Sequence, residues 1–511
     1  MSLGVAGWAA WTVLASGVAA TGAGQQGQPA PRASEQPRNV ILVLSDDHRY
    51  DFMSFHPRAP DFLATPGLDR MARAGAHLAN AFVTTSLCSP SRASILTGQY
   101  AHRHGVVDNT SGIPPGTVFF PELLQAAGWR TAYVGKWHMG EDVDDPRPGF
   151  DHWVSFRGQG VYVDPVLNVD GERRQVEGYT TDVLTDLALE WLERQSLESS
   201  SLESPSLENP SLESQAGDAR SPFFLVLSHK AVHAEFVPAP RHAGTYRDVA
   251  TPYPVTMPRT EANLRWQPRW VQAQRFSWHG VDYAYHGQFD FDTFYRRYAE
   301  TLLALDESVG RVLDFLERSG LGERTLLLYL SDNGFSLGEH GLIDKRHAYE
   351  ESIRIPMIAW GPGLVPAGAT VVDLVRNIDV APTILDLAGV APSGVVDGRS
   401  VLPALRGEPM GSPGELLYEY YWEHAFPHTP TTFALRDERY KYIYYHGVWD
   451  SAELYDLEAD PDERFNLIDL PDHGERAEAM RDRLWELLEQ TGGMRIPLRR
   501  GDWQACERLV P

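Results

Sequence analysis

A chain of 511 residues with 43% hydrophobic content is too long for one simple core and has enough apolar material for a large domain plus a smaller one. Its formal net charge of −24 argues against nucleic acid or an anionic membrane surface as a general partner. An anionic substrate stays open, because a few local cations can dominate a pocket.

Near the N-terminus, residues 3–20 form an apolar, Ala/Gly-rich run that closes on the small residues Val18 and Ala20. This reads as a signal peptide over 1–20, followed by a polar, Pro-rich disordered linker over 21–38, and predicts an exported protein, periplasmic or secreted. No later stretch reads as transmembrane, so no stable membrane insertion is expected. The only cysteines are Cys88 and Cys506, which is compatible with export and implies no disulfide framework.

Short apolar runs at 40–44, 131–134, 223–227, 325–330 and 356–360 read as buried strands. Helical patterns at 181–194, 295–318 and 381–387 fall between or after them. Strands alternating with helices predict an α/β fold with a large mixed, mostly parallel sheet sandwiched by helices. This large domain is expected over 39–413. Inside it, 196–214 repeats Ser-Leu-Glu-Ser/Asn with a period of five, which suits neither helix nor strand, and 196–220 is expected to be a disordered surface insertion. From 414 to 511 the pattern changes to Tyr-rich strands, 416–421 and 440–445, and a helix at 475–490. That predicts a smaller C-terminal subdomain, an antiparallel sheet plus one helix.

The densest local signal is 86–98, Ser-Leu-Cys-Ser-Pro-Ser-Arg-Ala-Ser-Ile-Leu-Thr-Gly. Ser89 suits a helix N-cap, Pro90 the first helical position and Gly98 the stop. Cys88 would then lie at the positive end of a helix, with Arg92 four positions on. A structural cysteine is usually set among apolar neighbours, and this one is set among small polar residues.

Polar pairs also follow the strands directly. Asp46 and Asp47 follow the first; Lys136 and His138 follow the second; Lys230 and His233 follow the third; Asp332 and Asn333 follow the fourth. Open α/β sheets place their sites beyond the carboxyl ends of strands, so four such pairs at one edge form a constellation. Asp46, Asp47, Asp332 and Asn333 offer hard oxygen ligands without thiolate or imidazole, which favours calcium or magnesium over zinc. Histidine titrates near neutrality, which makes His138 and His233 acid–base candidates.

The 86–98 segment resembles the sulfatase signature, Cys-x-Pro-Ser-Arg followed by Leu-Thr-Gly, with every fixed position matched. Gly-Trp-Arg-Thr-Ala-Tyr-Val-Gly-Lys-Trp-His at 128–138 resembles a second signature of that family and departs from it at Trp129, where Tyr or Val is usual. Further matches run from Asn39 to about Asn466. The chain thus resembles formylglycine-dependent (type I) sulfatases of the alkaline phosphatase superfamily, and among them carbohydrate sulfatases such as N-acetylglucosamine-6-sulfatase.

The resemblance implies that a separate formylglycine-generating enzyme oxidises Cys88, and that the hydrated aldehyde is the nucleophile. It implies one divalent cation, calcium favoured over magnesium, held by Asp46, Asp47, Asp332 and Asn333 and touching residue 88. Arg92, Lys136 and Lys345 would surround the sulfate, Lys345 lying in a segment, Asp-Lys-Arg-His-Ala-Tyr-Glu-Glu-Ser, that resembles the family's lysine motif. His233, assisted by Lys345, would protonate the leaving alcohol, and His138 would deprotonate the remaining hydroxyl of residue 88 to expel sulfate. Lys230 and His340, the latter in Leu-Gly-Glu-His-Gly, are assigned to substrate contact. The aromatic stretches 420–432 and 445–450 resemble parts of sulfatases that act on sulfated sugars. The reading is hydrolysis of a sulfate ester on a glycan or sulfated small molecule. Its alternatives are a phosphonate or phosphate diester hydrolase with the same nucleophile, and a non-catalytic glycan-binding protein on the same scaffold. A two-zinc, alkaline-phosphatase-like enzyme is disfavoured, because Arg92, Lys136 and Lys345 occupy the positions a second metal would need.

Overall fold

The computed structural model describes residues 39–140, 142–201, 221–283, 290–411, 414–447 and 451–497. The expected leader and linker, the insertion beyond 201, residues 448–450 and Cys506 lie outside the described residues.

The first expected strand is Asn39–Ser45, and all seven of its residues are buried. It lies centrally in a ten-stranded sheet, parallel to Phe223–Ser228 on one side and to Thr325–Ser331 on the other. Arg130–Lys136 continues the parallel set beyond Phe223–Ser228, and His152–Phe156 continues it again. Met357–Trp360 runs antiparallel to Thr325–Ser331, which makes the sheet mixed. Val40, Leu42 and Leu44 enter one core with Ala93 and Ile95, while Ile41 and Val43 enter the other with Tyr298, Leu302 and Leu305. Burial on both faces explains why these strands read as continuous apolar runs.

The Cys88–Thr97 helix covers the first face and the Phe291–Ser319 helix the second. The longer helix starts where Asp290 Oδ1 accepts the Thr293 N–H at 2.8 Å and stops at Gly320, φ 71°. The shorter one stops at Gly98, φ 71°, as its sequence predicts, but Leu87 is its N-cap. Ser89 lies inside the first turn, and its hydroxyl donates to the His138 carbonyl instead of capping. The 181–194 pattern becomes Thr180–Ser201, so the helix runs into the first residues of the repeat assigned to the disordered insertion. Leu and Glu are good helix formers and extend an established helix readily.

The C-terminal sheet has four antiparallel strands, Leu416–Tyr420, Thr432–Arg436, Tyr440–Tyr445 and Ser451–Asp456. Leu416, Tyr418 and Tyr420 point into a core of the large sheet. Leu417, Phe433, Leu435 and Leu454 point the other way, onto Ala477, Met480, Leu484 and Leu488 of the Gly474–Thr491 helix. The described residues therefore belong to one compact unit. None of their helices is long and apolar enough to cross a membrane.

Glu453 is buried in this subdomain, where Tyr349, Tyr445 and Tyr455 donate hydroxyls to its carboxyl. Burial nevertheless lifts it from 4.5 to about 6. A folded-state value above the unfolded one gives stability that is complete below pH 4.5 and lost as pH rises through 6, a contribution of about 2 kcal/mol. Glu453→Gln removes that slope. Chemical denaturation from pH 4.5 to 7 should show the stability difference, wild type minus variant, shrinking by this amount, and a pH-independent difference would contradict the assignment.

Candidate active site

The parallel strands deliver their carboxyl ends to one edge, where Asp46–Asp47, Lys136, Lys230 and Asp332–Asn333 emerge. Gly135, φ 124°, allows two of these strands to meet, since a Cβ there would lie 1.8 Å from the Ser228 carbonyl oxygen. Asp47 (φ 59°) and His138 (φ 56°) occupy the left-handed region without being glycine. Such backbone persists where the surroundings over-determine it, and it concentrates at functional sites.

Asp46, Asp47 and Asp332 are completely buried, and each offers an oxygen within 4.8 Å of the others'. Cys88 faces them, its Sγ 3.4 Å from Asp46 Oδ1 and 2.8 Å from Lys345 Nζ. The Lys345 ammonium also contacts Asp47 Oδ1, and that of Lys136 contacts Asp46 Oδ2 and Gln159. Asn333 donates to Asp47 Oδ1 at 2.5 Å, and its own buried Oδ1 has no hydrogen-bond partner among the described residues. His233 Nε2 lies 3.9 Å from Asp47 Oδ2. Ser89 Oγ lies 3.4 Å from His138 Nδ1.

Arg92 reaches the carboxylates themselves. Its guanidinium binds Asp332 Oδ2 at 2.8 Å, Asp46 Oδ2 at 3.3 Å, Ser228 Oγ at 2.6 Å and the Lys136 carbonyl at 2.8 Å. It therefore fixes the carboxylates and ties four strand ends together. Its position on the helix brings it onto the sheet edge, and sequence spacing alone could not show which acidic groups it would meet.

Electrostatics define the cluster. Burial would raise Asp46, but Lys136, His233, Arg92 and Lys345 hold it well below the ordinary carboxylate range. Asp47 is pushed up to about 7 by burial and by the charges of Asp46 and Asp332, against Lys345. Asp332 is raised by burial and Asp46. Three buried carboxylates that repel one another, beside an unsatisfied amide oxygen, fit a hard divalent cation. Burial and Asp46 push the Cys88 thiol up to about 12, so it is neutral. His138 is lowered by burial and Lys136; burial also lowers His233, against the charge of Asp46.

Lys230 Nζ lies 4.8 Å over the Tyr162 ring, whose hydroxyl donates to the His233 carbonyl. Burial and Lys136 lower its ammonium to about 8. His340 does not join the cluster. Its ring stacks on Tyr349 at 4.0 Å, and the charges that reach it are those of His347 and Lys441. The 420–432 stretch does reach the neighbourhood of Lys345, because Phe426 stacks on His279 and lies 3.6 Å beneath the Arg346 guanidinium. Gln159, Ser228 and Tyr162 were missed in the sequence, where no spacing separates them from ordinary loop and strand residues.

The sulfatase family model matches residues 38–390, and that of the N-sulphoglucosamine sulphohydrolase C-terminal region matches 338–490. The chain is 31% identical to N-acetylglucosamine-6-O-sulfatase of Bacteroides thetaiotaomicron, over 90% of this chain and 87% of that one. It is 29% identical to human N-acetylglucosamine-6-sulfatase, over 84% and 80%. A solved structure in complex with its substrate, D-glucosamine-2-N,6-O-disulfate, superposes with a TM-score of 0.78 at 29% identity, covering 91% of this chain and 100% of that one. The chain belongs to the sulfatase family. It is a sulfuric ester hydrolase.

Proposed function

We propose that this enzyme removes the 6-O-sulfate of a glucosamine unit in a sulfated glycan. The carrying observation is the buried set of Asp46, Asp47, Asp332 and Asn333 facing Cys88 at the strand ends. The relatives named for N-acetylglucosamine 6-sulfate, and the solved complex with a 6-O-sulfated glucosamine, support the sugar and the position.

Asp46, Asp47, Asp332 and Asn333 would hold one cation, with calcium preferred because adaptable carboxylate and carbonyl oxygens suit its larger coordination shell. Formylglycine formed from Cys88 supplies a nucleophilic hydroxyl when hydrated, and the cation supplies Lewis acidity. Lys136 and Lys345 neutralise sulfate oxygens as the S–O bond breaks, and Arg92 holds Asp46 and Asp332 in register for the cation. His138, kept neutral by burial, accepts a proton beside residue 88. His233 delivers a proton to the departing alcohol, since an anionic ester beside it favours the imidazolium. Lys230 provides a further cation on the substrate side. Export through the 1–20 leader and maturation by a formylglycine-generating enzyme complete the reading.

Peptide mass spectrometry of the tryptic fragment 74–92, from protein made in its own host, tests the reading. The expected result is the mass loss of thiol-to-aldehyde conversion at Cys88. An intact thiol alongside a competent maturing enzyme would favour the non-catalytic glycan-binding scaffold.

A further inference from the structure

Residues 253–283 differ in character from the chain around them. In a protein of net charge −24 they carry four arginines against two acidic residues, together with six aromatic side chains. Trp278 is 50% exposed and Tyr283 45%. Their rings lie 6.3 Å apart with 27° between planes. Phe276 is also exposed, and the Arg259 guanidinium lies 4.9 Å over its ring. Exposed aromatic surface of this kind marks interaction sites, and Trp, Tyr and Arg dominate their energetics.

The segment is fastened to the loop that carries Lys345. His279, the residue after Trp278, accepts the Ile343 N–H at 2.8 Å through its carbonyl. Its Nδ1 lies 3.2 Å from Asp344 Oδ2. Gly280 forms a β-bridge with Leu342. From Asp344 the chain passes directly to Lys345, whose Nζ lies 2.8 Å from Cys88 Sγ. The segment that carries the exposed ring pair is therefore tied to the loop that supplies Lys345.

We infer that Trp278 and Tyr283, with Arg259 in the same segment, form a subsite for the sugar ring adjoining the one that loses its sulfate, so that the substrate is an anionic oligosaccharide. The inference rests on the sulfatase reading of the site. A flat aromatic face packs on the C–H face of a pyranose, and a guanidinium pairs with a sulfate or carboxylate on the same saccharide. Local positive charge on an acidic protein gives the platform a preference for sulfated over neutral chains.

The test is the Trp278→Ala/Tyr283→Ala double variant, whose changes are on the surface and spare the core. On matured enzyme, kcat/KM for a tetrasaccharide containing 6-O-sulfated glucosamine should fall about tenfold through KM, with glucosamine 6-O-sulfate turned over at the wild-type rate. Equal losses on both substrates, or no loss on either, would overturn the subsite. Calorimetric titration of the tetrasaccharide into Cys88→Ala protein, with and without the double change, reads the platform without turnover. About tenfold weaker binding supports it and unchanged affinity rejects it. Failure of matured wild-type enzyme to hydrolyse either sugar would count against the proposed function, and the titration would still decide the subsite.

Discussion

Cys88→Ala is expected to abolish turnover while leaving the fold intact. The side chain is small and, among the described residues, makes two polar contacts, to Asp46 and Lys345. Its removal therefore costs little stability, on the order of 1 kcal/mol. Loss of a covalent nucleophile lowers kcat by at least about 10⁴-fold. Reactive cysteines work as thiolates and sit where their pKa is depressed. Here burial and Asp46 push the thiol up to about 12 in spite of Lys136 and Lys345. The site thus disfavours thiolate chemistry, and a converted side chain resolves the contradiction between a central position and an inert thiol. Cys88→Ser preserves shape and polarity without providing the thiol to be oxidised, so it should be as inactive as alanine. Steady-state rates on an aryl sulfate, with circular dichroism to confirm folding, check both variants. Substantial activity in either would remove Cys88 as the source of the nucleophile, and a comparison on a phosphonate monoester would show whether sulfate is the preferred ester.

The central strands were legible because each is buried on both faces, and the pattern 40–44 lies wholly within Asn39–Ser45. Short strands such as Ala76–Leu78 and Ala369–Val371 were not, since three residues carry no periodicity and their pairing comes from distant segments. Metal-ligand candidates could be read because a parallel sheet sends every carboxyl end to one side. What the sequence could not supply was the pairing of charges. Arg92 and Lys136 both converge on Asp46, a convergence set by three-dimensional packing. The stacking of His340 was equally out of reach: its motif lies close to Lys345 in sequence, and its backbone at φ 55° turns the ring onto Tyr349. The Cys88 helix start shows the limit at shorter range. Ser89 is a good capping residue by type, but the His138 carbonyl competes for its hydroxyl.

Asp332→Asn should uncouple stability from metal binding. Alanine would leave the buried Arg92 guanidinium short of a partner, a loss that mixes folding with function. Asparagine keeps one acceptor for Arg92 Nε and removes one of the two negative charges that raise Asp47. In chelated buffer the variant should then melt no lower than chelated wild type, because the repulsion that lifts Asp47 to about 7 is partly relieved. On adding calcium the order should reverse. Wild type gains stability as RT ln(1 + [L]/Kd), and a variant that binds about 100-fold more weakly gains about 2.7 kcal/mol less at concentrations that saturate both. Turnover of a sulfate ester should fall in parallel with affinity. The two readouts separate the roles of the same side chain: a purely structural Asp332 would lower the melting temperature with and without calcium alike, whereas a ligand lowers it only in the presence of metal. Full activity of the variant in chelated buffer would exclude the carboxylate cluster as a metal centre.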